Sequence, residues 1–83
     1  MTTRPPAYTP ISCEFHDLLE SLATTRKRAH FVFRNDAGQI EHRDAAIADL
    51  HARDGEEFVV FDSGQSLRLD RLLEVDGEKL ADY

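Results

Sequence analysis

The chain has 83 residues, enough for one domain with one core and too few to enclose a sizeable internal active-site cavity. Sixteen acidic against ten basic residues give a formal charge of -6, which repels a phosphate backbone at long range and makes a basic protein surface the more natural partner. A single cysteine, Cys13, excludes an internal disulfide and any multi-cysteine zinc site.

Met1 to Ala7 holds two of the three prolines and little that needs burying, so residues 1–7 are expected to form a flexible arm ahead of one domain spanning 8–83. This N-terminus also lacks the apolar core of a signal peptide, and no run is long enough to span a bilayer. The expected location is the cytoplasm.

The first regular element is a helix over about 13–23. Ser12 is placed to accept from the free amides of its first turn. At roughly 100° per residue, Phe15, Leu18, Leu19 and Leu22 fall in one apolar stripe, while Asp17 and Glu20 point away from it, flanked by Glu14 and His16. Between Cys13 and Ala23 there are three carboxylates and no Lys or Arg, so the outer face carries one sign of charge. Periodicity alone reads this either as an ordinary solvated face or as a surface that docks on a basic partner. The following run Arg26, Lys27, Arg28 complements the negative end of the helix dipole.

From Ala29 the period changes to two. His30 to Arg34 reads as a strand with Phe31 and Phe33 on one face, Asn35 to Gly38 as a turn, and Gln39 to Ala45 as a returning strand anchored by Ile40. Ala46 to Leu50 reads as a short helical turn or irregular link, and His51 to Glu57 as a surface loop. Phe58 to Phe61 is a β-prone run expected at a sheet centre, with Phe58 and Val60 inward. Leu67 to Val75 reads as a strand with a bend or bulge near Asp70 and Arg71. A turn at Asp76 and Gly77 leads to a short closing strand. The predicted class is α+β, mostly β. The helix packs on a small, strongly bent antiparallel barrel over about 29–83, which limits exposed strand edges. The predicted core also includes Ile47, Leu50, Leu67, Leu69, Leu72 and Val75.

Catalysis finds little support in the residues. Cys13 and His16 are neighbours on a helix, but Asp17 follows His16 directly and points about 100° away from it. His16, His30, His42 and His51 form no paired-histidine metal motif, and no phosphate loop or dinucleotide fingerprint is present. No enzyme activity, cofactor or metal is expected. Arg26, Lys27, Arg28, Arg34 and Arg43 keep an RNA-binding alternative open against the net acidity.

Tyr8, Pro10, Ile11 and Cys13, followed by Asp17, Leu19 and Glu20, form the pattern Y-x-P-I-x-C-x-x-x-D-x-L-E. Together with LRLDRL from Leu67 to Leu72, it resembles the Rho-binding antiterminator (Rof) family over roughly Tyr8 to Val75. The segments His51 to Glu57 and Asp62 to Gln65 depart from that family. The resemblance implies a small bacterial protein with a helix packed on an Sm-like barrel, free as a monomer. Such a protein binds the hexameric transcription termination factor Rho and obstructs its primary RNA-binding surface. It further implies that Glu14, Asp17 and Glu20, with His16 beside them, form the partner-binding face. The alternative is an Sm-like RNA-binding regulatory protein.

Overall fold

The computed structural model describes residues 11–82. The expected arm at 1–7 and the motif residues Tyr8 and Pro10 lie outside the described residues. Helix α1 spans Cys13–Thr25, slightly longer than the pattern suggests. Ser12 is its N-cap: the backbone there is extended and its Oγ accepts from the Phe15 N–H at 3.2 Å, satisfying one of the first-turn donors. The helix ends at Arg26, which takes the left-handed conformation with φ 56°, so the basic run follows the last turn rather than lying within it.

Strands β1 (Ala29–Arg34) and β2 (Ile40–Ala45) form the expected hairpin, in register from Ala29 opposite Ala45 to Arg34 opposite Ile40. Its turn is fastened by Asn35, whose Oδ1 accepts from the N–H groups of Ala37 and Gln39, both at 2.9 Å. Ile40, expected in the core, lies instead at the start of β2 with 47% of its surface exposed. Beside a polar strand on the sheet edge, no second layer reaches it.

The link and loop expected over 46–57 are in fact a second hairpin. β3 (Ile47–Arg53) pairs antiparallel with β4 (Glu56–Phe61) from Ile47 opposite Phe61 to Arg53 opposite Glu56. Asp54 and Gly55 make the connection, both at positive φ (54° and 79°), the backbone of a two-residue type I′ turn. A register shift between Ile47 and Asp49 breaks the alternation that would have marked β3 in the sequence. The inward face of β4 is also one residue from expectation: Val59 and Phe61 are fully buried, whereas Phe58 and Val60 are only partly so. Because the strand period is two, that single step exchanges its faces.

The stretch Leu67 to Val75 is two strands joined by a 3₁₀ turn. β5 (Ser66–Arg68) pairs with β4, Leu69–Arg71 forms the turn, and β6 (Leu72–Val75) pairs with β1. The disturbance at Asp70 and Arg71 is therefore where the chain changes sheets. β7 (Glu78–Lys79) closes back onto β6 through Asp76 and Gly77, and a last 3₁₀ turn covers Leu80–Asp82.

Two antiparallel sheets result, ordered β2-β1-β6-β7 and β3-β4-β5. The class is α+β and mostly β, but among the described residues no ladder joins the two sheets into a closed barrel. They share one core instead. Phe31 and Phe33 from the first sheet meet Phe61 from the second, at ring-centroid distances of 4.8 and 6.2 Å. Phe15, Leu19 and Leu22 of α1 join the same buried cluster with Ile47, Leu67, Leu69, Leu72 and Val75, while Leu18 and Leu50 pack at its margin. The apolar stripe of α1 is thereby consumed, and its acidic face remains outside. Among the described residues, no helix is long and apolar enough to cross a membrane.

Candidate functional site

The acidic residues of α1 divide into two groups. Glu14 and Asp17 are exposed and enter no ion pair among the described residues. Glu14 lies in the first helical turn, where the positive end of the dipole favours a carboxylate. Glu20, one turn beyond, is engaged: its Oε1 lies 3.2 Å from Nδ1 of His16. The other ring nitrogen of His16, Nε2, lies 3.0 Å from Oε2 of Glu57 on β4. His16 thus bridges the helix to the second sheet.

Glu57 sits on the same side of β4 as Val59 and Phe61, the side that faces α1, and its side chain is still 40% exposed. By sequence it falls at the end of the expected surface loop His51 to Glu57. Its place follows directly from the β4 register, so correct alternation would have put it beside the helix. A cleft of about 150 Å³ opens at this junction, lined by His16, Glu20, Leu50, His51, Glu57 and Phe58 among others. The His51 ring is stacked on Phe58 at 5.4 Å with an interplanar angle of 22°, and Asp49 lies 3.7 Å from its Nδ1.

The remaining clusters hold the fold. Asp70 accepts a hydrogen bond from Nε of Arg68 at 2.6 Å, and Glu56 lies 3.4 Å from Nη1 of the same guanidinium. The Asp70 hydrogen bond raises Arg68 above the ordinary arginine value; burial opposes this, and Glu56 adds to it. The Arg68 charge is therefore permanent, and it pins β5 to the turn that follows. On the first sheet, Nδ1 of His30 lies 2.8 Å from Asp44 Oδ1 and its Nε2 lies 3.0 Å from Nδ1 of His42, a cross-strand chain between β1 and β2. The His30 N–H donates to Asp76 at 2.7 Å.

Of the basic residues named for RNA binding, Arg26 and Lys27 are exposed, while Arg28, Arg34 and Arg43 enter local contacts. Arg28 donates to Asp62 at 3.2 Å and to the Asp44 carbonyl at 2.9 Å, Arg34 to the Gly38 carbonyl at 3.3 Å, and Arg43 to Gln65. Cys13 is exposed at the start of α1, and His16, its neighbour one turn on, is directed to Glu20 and Glu57. Among the described residues no group of three or more His, Cys, Asp or Glu is arranged to hold a metal ion.

No family model, curated protein or solved structure matches this chain. Its function therefore rests on the residues themselves.

Proposed function

We propose that this chain is an inhibitor of transcription termination factor Rho, docking through the acidic face of α1 on the basic surface that otherwise receives RNA. The observation that carries the reading is the single-signed outer face of the helix. Glu14 and Asp17 stand exposed with no ion pair among the described residues, and Glu20 lies one turn further along. Carboxylates displayed in this way occupy positions that phosphates take on a nucleic-acid-binding surface. The motif from Tyr8 to Glu20 and the LRLD segment lend the reading its partner, and an Sm-like ancestry for the two sheets belongs to the same proposal. So do a cytoplasmic site of action, a monomeric free state and the absence of catalytic chemistry.

The RNA-binding alternative draws less support. It requires a basic groove with stacking aromatics, whereas Arg28, Arg34 and Arg43 are each spent on contacts within the chain.

In a reconstituted transcription assay on a Rho-dependent template, added protein is expected to increase readthrough. The Asp17→Lys, Glu20→Lys double variant is expected to lose that effect. Readthrough unaltered by the protein, or equally strong with the reversed charges, would sink the proposal.

A further inference from the structure

Glu20 Oε1 and Glu57 Oε2 hold the two nitrogens of one imidazole between them, at 3.2 and 3.0 Å. Carboxylates only accept hydrogen bonds, so both contacts are satisfied together when both ring nitrogens carry protons. The junction of α1 with the β3–β4 hairpin thus holds a flat ring whose nitrogens on opposite edges each meet a carboxylate. A guanidinium has the same planarity and a comparable spacing of donors, and its charge is permanent.

We propose that this cleft receives one arginine side chain of the partner protein, with Glu20 and Glu57 as the paired acceptors, and that His16 occupies the same place in the free molecule. The proposal rests on the reading of the acidic helix as a docking face and names the group it takes.

Four observations agree with an arginine. Among the described residues no Lys or Arg lines the cleft, and the two carboxylates there are answered by a histidine. Both are reachable from outside, Glu20 being 58% and Glu57 40% exposed, whereas the His16 ring is 27% exposed and sits deeper. The walls include Leu50 and Leu69, which suit the aliphatic stem of an arginine. At about 150 Å³ the cleft fits the end of one side chain and is smaller than the roughly 300 Å³ at which small-molecule sites begin. Glu14 and Asp17 lie outside it and supply long-range attraction, while the cleft fixes register.

The test is an amide-resolved NMR titration of the full chain with Nα-acetyl-arginine amide and with its neutral citrulline counterpart. The arginine compound is expected to shift Glu20, Glu57 and Phe58 where citrulline does not, and to bind about threefold more weakly to Glu57→Gln. His16→Gln, which removes the internal competitor, is expected to bind it more tightly, an effect that a merely structural role for His16 would not produce. Glu57→Asp, which keeps the charge, serves should Glu57→Gln fail to fold. Equal shifts with arginine and citrulline, or equal affinity in Glu57→Gln, overturn the proposal.

Binding to Rho separates it from the reading on which it rests. Loss of about fivefold or more in Glu57→Gln supports the cleft. Loss in Asp17→Lys, Glu20→Lys with none in Glu57→Gln overturns the cleft and leaves the acidic face standing. Arginine-specific shifts in a protein that does not bind Rho overturn the choice of partner and support the cleft.

Discussion

Phe61 joins the two sheets at the level of single side chains. It is fully buried and meets Phe31 and Phe33, while its neighbour three positions back, Phe58, stands on the outer side of the same strand against His51. Phe61→Ala should cost about 3–5 kcal/mol, because the ring leaves a cavity that three elements cannot close. That is a large share of the stability expected of an 83-residue chain, on the order of 4–12 kcal/mol. Phe58→Ala should cost nearer to about 1 kcal/mol. Urea midpoints of the two variants check the assignment, and similar losses would mean that the β4 register is wrong. Sequence pattern could not make this choice, since Phe58 to Phe61 are all apolar and alternation has nothing to alternate with. The same blindness hid Glu57, whose position beside α1 depends on that register. The helix offered clearer signals: Phe15, Leu19 and Leu22 are buried where a 3.6-residue period puts them, and Glu14, Asp17 and Glu20 are exposed opposite.

Among the elements, the β3–β4 hairpin turns through two residues of positive φ, Asp54 and Gly55. Gly55 has φ 79° and open space where a Cβ would project, so an alanine there meets no clash and pays only the conformational penalty. Gly55→Ala should destabilise by about 1 kcal/mol or more. For a domain of this size that lowers the thermal midpoint by roughly 4–8 °C per kcal/mol, measurable by circular dichroism. An unchanged midpoint would argue against a turn with positive φ at this position. The Asp-Gly pair was visible in the sequence, but the strands beside it were not. β3 reads Ile-Ala-Asp-Leu-His-Ala-Arg, with a register shift that interrupts its alternation, and β4 opens on two glutamates. The β1–β2 hairpin was legible because Phe31 and Phe33 alternate cleanly before a turn rich in Asn, Asp and Gly. The break at Asp70 and Arg71 was legible too, as a disturbed pattern. Its form as a 3₁₀ turn between sheets depends on contacts of Arg68 with Asp70 and Glu56 that local sequence does not announce.

At the scale of the whole molecule, three of the sixteen acidic residues stand on the outer side of α1 with no Lys or Arg between them. The two sheets share a core that consumes the apolar stripe of α1 and leaves the carboxylates of that helix outward. Most arginines are meanwhile tied to carbonyls and acids of their own chain, so they do little to mask that face. An acidic surface of this kind speeds encounter with a basic partner and loses that advantage as salt rises. The composition gives the sign of charge to expect in a partner, and the packing of α1 shows which carboxylates of that helix are exposed. The measurement to make is equilibrium binding of the full chain to purified Rho across a range of salt, with pyrimidine-rich RNA as competitor and Asp17→Lys, Glu20→Lys alongside. The expected result is salt-sensitive binding that RNA displaces and that the double reversal weakens by at least about tenfold. Binding indifferent to RNA and to the reversed charges, or none at micromolar concentrations, would contradict docking through the helix.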